Sequence, residues 1–268
     1  MELNFTIILI VISLGILFGM LSTIAGIGGG VFYVSFMFLA LLIPLNEAID
    51  TSTFVILITS AAGFISYLKQ GRTNLKLSLI FSSFSILGGL LCWLFLFYYP
   101  IDNESLKIIF AILLIITGLN MVYKAYKERK IDADNNNNIQ NENYILKEHD
   151  YKKDLLKGAP FFVLAGFTAY LLGIGGGVIN TPALNLIFGF PIHNATAIST
   201  SIIFFTAIVN TTIKIFTGSI NYTIGLLLGT GSVLGAVLGA KISDKMPKIY
   251  LRGFVAILIV LLGINMLV

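Results

Sequence analysis

Between Lys157 and Lys214 the chain runs for 56 residues without an Asp, Glu, Lys or Arg, and only His193 in that stretch could take up a proton near neutrality. Residues 1–46 carry a single charge, Glu2. Stretches this long and this free of charge fit hydrocarbon rather than water. Composition agrees: 57% of the 268 residues are apolar and 11% are charged, against about 45–50% and about 25% in a soluble domain. Mean hydropathy is +0.93. A soluble fold of this size could not hide so much apolar surface. The reading is an all-α polytopic membrane protein, and it excludes a cytosolic enzyme, a nucleic-acid binder and a disordered chain. The formal charge of +4 then concerns topology and lipid headgroups. Cys92 is the single cysteine, so no intrachain disulfide and no cysteine-based metal site is expected. The apolar N-terminal stretch lacks a basic lead-in and continues into more apolar sequence, so it reads as a retained segment.

The chain repeats itself. Gly26-Ile27-Gly28-Gly29-Gly30-Val31 recurs as Gly173-Ile174-Gly175-Gly176-Gly177-Val178, an offset of 147. That offset also pairs Gly19 with Gly166, Pro44 with Pro191, Ser52 with Ser199, Thr53 with Thr200, Gly71 with Gly218 and Asn74 with Asn221. Residues 1–126 form a first membrane repeat and 158–268 a second. The stretch 127–157 between them is polar, with Asn135 to Asn138 in a row, and reads as a linker. Each repeat divides into five apolar segments: 5–25, 30–44, 47–68, 77–99 and 105–124, then 159–172, 177–190, 195–213, 221–240 and 249–268. The second segment of each is too short, at about 22 Å, for the roughly 30 Å of hydrocarbon. A glycine cluster precedes it, and each glycine costs a helix interior about 1 kcal/mol. The helix is therefore expected to break there, with half-helices starting at 29–31 and 176–178. Whether these are two short spans or a re-entrant hairpin is open, so the count is 8–10 spans.

Eight Lys or Arg fall between Lys124 and Lys157, which places the linker in the cytoplasm. Asp102–Glu104, Glu47 and Asp50 are then outside, and Lys69, Arg72 and Lys76 inside. Pro191 and His193 fall inside, Lys214 and Gly218 outside, and Lys241, Lys245, Lys248 and Arg252 inside. Lys214 is the main exception to the positive-inside pattern. Both termini are expected outside, and the two repeats run in opposite directions, the plan of an inverted repeat.

Inversion brings the glycine clusters together at the bilayer midplane. A half-helix N-terminus offers unpaired N–H groups and a partial positive charge, an anion site that needs no Lys or Arg. The expected substrate-binding residues are Gly28, Gly29, Gly30, Gly175, Gly176, Gly177, Asn180, Thr51, Ser52, Ser199, Thr200 and Ser201. The hydroxyls of Thr51, Ser52, Ser199, Thr200 and Ser201 can donate to an anion or to nearby backbone. Asn180, Asn185 and Asn210 are further polar groups in the second repeat; each could line a cavity or pair across helices. A side chain at Gly176 is expected to block the site. His193, Glu47 and Asp50 read as interfacial groups. No protease pair, no G-x-G-x-x-G and no metal-ligand spacing occurs; no catalytic residue, metal or cofactor is expected.

The paired GIGGG motifs, followed by Pro44 and Thr51-Ser52 in one half and Pro191 and Thr200-Ser201 in the other, resemble the TauE/SafE sulfite-exporter family. The run Leu172-Gly173-Ile174-Gly175-Gly176-Gly177-Val178-Ile179-Asn180-Thr181-Pro182 carries the resemblance most closely. The first half departs from it at Phe32-Tyr33-Val34. The resemblance covers nearly all of the chain outside 127–157. It implies a multi-span permease for a small anion such as sulfite or an organosulfonate. The reading is a secondary transporter whose partners are that anion and the bilayer, with no nucleic acid. The alternative is an anion channel or a non-transporting membrane scaffold. A homo-oligomer is compatible with the sequence, which does not fix its state.

Overall fold

Each glycine cluster ends one helix and begins another. In the computed structural model, which describes residues 5–134, 154–243 and 248–267, α1 (Phe5–Ala25) stops at the first cluster and α2 (Gly30–Leu39) starts from it. Likewise α6 (Leu155–Leu172) stops at the second and α7 (Gly177–Leu186) starts from it. The cause is conformational. Gly28, Gly29, Gly175 and Gly176 have φ of 95°, 72°, 82° and 75°, a left-handed region that side-chain-bearing residues rarely enter. The remaining elements are α3 (Leu45–Lys69), α4 (Leu75–Tyr98), α5 (Asn103–Asp134), α8 (Ile192–Thr217), α9 (Tyr222–Ile242) and α10 (Lys248–Leu267). Among the described residues there are no strands. Every element from α1 to α5 has its counterpart from α6 to α10, and α2 and α7 keep the 147-residue offset at both ends.

Two expectations need correction. The second segments are ten residues each, about 15 Å long, not fourteen or fifteen residues. They end early because the chain turns through left-handed backbone at Leu42 (φ 54°) and Gly189 (φ 69°) before Pro44 and Pro191 open the next helix. The fifth helix runs on to Asp134, into the stretch expected as linker. Asn135 to Asn138 and Lys245 lie outside the described residues.

Six helices, α1, α3, α4, α6, α8 and α9, are long and apolar enough to span a bilayer. Large apolar side chains such as Leu9, Leu17, Leu94, Phe97, Leu164, Phe216 and Leu234 face outward, as lipid contact demands.

The two halves interleave. α1 packs on α9 and α6 on α4, while α3 packs on α8 and α5 on α10. Small residues allow the close approach: a Cβ on Gly235 of α9 would strike the Ile16 carbonyl of α1, and one on Gly88 of α4 the Val163 carbonyl of α6. Gly231, Gly235 and Gly239 meet Ile12, Ile16 and Met20 in that order, so α1 and α9 run in the same direction. Along α3 and α8 the order reverses. Thr53 meets Thr211 and Lys214, Gly63 meets Thr200, and Arg72 beyond the end of α3 donates to the His193 carbonyl at the start of α8.

Candidate functional site

The two glycine loops touch. A Cβ on Gly30 would strike the Gly173 carbonyl, and one on Gly177 the Gly26 carbonyl. Gly28 and Gly175 face each other: a Cβ on Gly28 would lie 3.2 Å from Gly175 Cα, and one on Gly175 would lie 3.2 Å from Gly28 Cα. Gly29 and Gly176 cap α2 and α7. The first amides to find acceptors within these helices belong to Phe32, on Gly29, and Ile179, on Gly176. Those ahead of them, at 30–31 and 177–178, sit where a helix has no acceptor of its own to offer. The fold thus brings two positive helix ends to one place in the interior. It leaves no room between the loops themselves. A Cβ on Gly176 would meet the Ala165 carbonyl of α6 at 2.6 Å. Bulk at Gly176 therefore strains the fold directly, and it cannot report on ligand blocking alone.

Most of the expected hydroxyls serve as clasps. Ser52 of α3 donates to the Gly173 carbonyl at 2.8 Å, and its counterpart Ser199 of α8 donates to the Gly26 carbonyl at 3.0 Å. Each satisfies a carbonyl at the end of the other half's broken helix, a bond worth about 1 kcal/mol. Thr181 of α7 adds a second donor to the Gly26 carbonyl at 3.0 Å. Thr51 accepts from the Asn221 amide at 2.9 Å. Thr200 and Ser201 bond back to the Thr196 and Ala197 carbonyls, and Ser201 also meets Thr73. Asn185 is no cavity group: its amide donates to the Phe190 carbonyl in the following turn.

Beside the loops lies a water-sized cavity of about 10 Å³. Thr53, Ile56, Ala169, Gly175, Ile203, Thr206, Ala207 and Asn210 line it. Within the protein, Thr206 Oγ1 and Asn210 Oδ1 have no hydrogen-bond partner, and neither has Asn180 at either amide atom, although all are buried. Native interiors rarely leave such groups unsatisfied. The first half explains the contrast. Tyr33, the counterpart of Asn180, meets Thr59, the counterpart of Thr206, at 3.2 Å, and Thr59 meets Ser232 at 2.8 Å. A tyrosine ring completes that polar cluster; an asparagine in the second half does not.

One more group adjoins the cavity. The Lys214 ammonium lies 3.0 Å from the Asp50 carboxylate and 3.1 Å from Thr53 Oγ1, with the Tyr170 ring 5.0 Å away. The side chains are 3% and 16% exposed. Asp50 also accepts from the Ser219 amide at 3.0 Å, and Glu47 accepts from Asn221 at 3.0 Å. Asp50 and Glu47 are therefore not merely solvated. Lys214 is not a misplaced topology charge but a buried cation in an ion pair. Its one sequence signal was its position, ending the longest uncharged run on the side that the charge pattern predicts to be outside. Thr206 gave no signal of its own.

Opposed broken helices meeting beside a small interior cavity, in a multi-pass helical protein, are the plan of membrane transporters. The chain is a member of the sulfite exporter TauE/SafE family, whose description matches residues 11–266. It is 29% identical to the probable membrane transporter protein YunE of Bacillus subtilis, over 96% of both chains. It is 30% identical to the probable membrane transporter protein MJ0441 of Methanocaldococcus jannaschii, over 100% of this chain and 98% of the relative. No solved structure matches it.

Proposed function

We propose that the protein is a non-enzymatic secondary transporter that carries a small oxyanion, of the sulfite or organosulfonate type, across the cell membrane. The observation that carries this reading is the meeting of the α2 and α7 N-termini beside a cavity lined by Thr53, Thr206, Asn210 and Gly175. Backbone amides and a helix-end potential suit an anion. The family name supports sulfite and its chemical relatives as first candidates. A cavity of about 10 Å³ favours a carrier that opens to each side in turn over a channel with a standing pore.

A thermal-shift panel of sulfite, sulfate, thiosulfate, sulfoacetate and carboxylates tests the reading. A ligand at a hundred times its Kd stabilises by about 2.7 kcal/mol. The expected result is a saturable shift with one or a few of these anions; a flat response to all of them overturns the reading.

The proposal includes an inverted repeat with the central linker cytoplasmic and both termini outside. The antiparallel run of the counterpart helices α3 and α8 supports the inversion. The basic residues flanking the linker support the sidedness. Cys92 is buried, so engineered cysteines at positions 2, 268 and 135–145 can be read against a quiet background. The first two are expected to label from outside and the third only after permeabilisation. A C-terminus that labels only from inside would refute the topology.

A further inference from the structure

Lys214 and Arg72 are the buried charged side chains among the described residues, and they sit at opposite ends of the α3–α8 contact. Arg72 donates to Ser243 Oγ at 2.6 Å, Gln70 Oε1 at 3.2 Å and the His193 carbonyl at 3.1 Å. Lys214 meets a carboxylate and a threonine hydroxyl. That hydroxyl belongs to Thr53, which lines the cavity. The ammonium therefore stands one side chain away from the space that Thr206 and Asn210 leave unsatisfied.

The residues that correspond to this pair across the two repeats carry no charge. At the 147-residue offset, Lys214 corresponds to Tyr67 and Asp50 to Ala197. In the first half Tyr67 is fully buried and its hydroxyl donates to the Thr23 carbonyl at 2.8 Å. An uncharged pair therefore occupies the equivalent positions, with the Arg72 guanidinium 4.8 Å from the centre of the Tyr67 ring. An ion pair held out of water is weak evidence for stability, because desolvation offsets its attraction. An ionisable group buried inside a membrane-spanning helix is a functional-site candidate by default.

We infer that the Lys214 ammonium is the cationic ligand of the transported oxyanion, and that the Asp50 carboxylate is the stand-in anion which the substrate displaces. This rests on the oxyanion reading above and assigns its charged contact. The incoming anion takes the Lys214 and Thr53 contacts. Asp50 then gives up its ion pair while keeping the Ser219 amide, so one of the ties between the start of α3 and the end of α8 is exchanged for a contact to the substrate. Substrate binding thus loosens this helix contact. A compact, fully charged oxyanion fits the role; a neutral molecule of equal size offers no charge to compete with a carboxylate.

The test uses the full-length purified protein, with sulfite as the probe, in thermal-shift titrations. Lys214→Gln alone strands the Asp50 carboxylate and Asp50→Asn alone the more deeply buried Lys214 ammonium, so Asp50→Asn is read together with the neutral double variant Asp50→Asn/Lys214→Gln, in which neither charge is left. Removing the competitor in Asp50→Asn is expected to lower the half-saturating sulfite concentration at least tenfold. The double variant is expected to fold, as the Tyr67–Ala197 arrangement implies, and to raise that concentration at least tenfold. A double variant that responds like wild type overturns this inference alone, as does an Asp50→Asn protein with unchanged or weakened affinity. A wild-type protein that answers to no oxyanion overturns the transport reading beneath it.

Discussion

Gly177→Val is expected to abolish the folded protein. The backbone at Gly177 is ordinary for a helix start, so valine is not excluded by conformation. Its Cβ, however, would strike the Gly26 carbonyl oxygen and approach the Ile27 carbonyl carbon at 2.7 Å. Overpacking costs about 1–3 kcal/mol where side chains can shift. Here the opposing atoms are backbone, and they belong to a loop already fixed by two hydroxyl bonds to the Gly26 carbonyl. The comparison is Gly71→Ala. Gly71 has a left-handed φ of 69° but open space around it, so the alanine suffers strain alone, roughly 1–2 kcal/mol. Size-exclusion profiles and melting curves in detergent decide the matter. Gly71→Ala should elute as a single species with a slightly lower Tm, while Gly177→Val should aggregate or fail to accumulate. Equal behaviour of the two variants would mean that the loops do not pack backbone to backbone.

Asn180→Leu should stabilise the protein and impair it. Both amide atoms of Asn180 are buried without a protein partner. Burying an unsatisfied polar group costs about 1–3 kcal/mol, and leucine is of similar size with no polar atom to satisfy. A raised Tm is therefore expected, by an amount of that order. If the amide faces the substrate, the same change should reduce oxyanion-induced stabilisation at least tenfold in half-saturating concentration. A structural asparagine would behave oppositely, with a lower Tm and an intact ligand response. That result would remove Asn180 from the site.

Much of this architecture could be read from residue spacing. The 147-residue offset of GIGGG set the helix breaks, because a run of glycines both disfavours helix and permits the left-handed turns seen at Gly28, Gly29, Gly175 and Gly176. Other features had no local mark. Leu42 adopts a left-handed φ of 54° although it is not a glycine, and nothing nearby announces that α2 stops before it. Gly15, Gly19, Gly235 and Gly239 signal close packing, but small residues do not name their partner. The pairing of α1 with α9 rather than with a neighbour in sequence needed the three-dimensional arrangement. The hydroxyls of Ser52 and Ser199 were found as a matched pair, and their bonds to opposite glycine loops explain the match. Lys214 looked like an error in a charge pattern until Asp50, far away in the chain, was seen beside it.

The interleaving of the halves has a consequence for biosynthesis. Domains of large proteins usually fold in order as they emerge from the ribosome. This chain cannot complete its first half in that way. The glycine face of α1 has to wait for α9, about 200 residues later in synthesis, a long-range pairing of the kind that slows folding. Ser52 of α3 must likewise wait for the Gly173 carbonyl. Until then the first glycine loop lacks the donors that Thr181 and Ser199 supply. The nascent first half is thus an unfinished knit, held in register by the bilayer and closed only when the last third of the chain has packed against it.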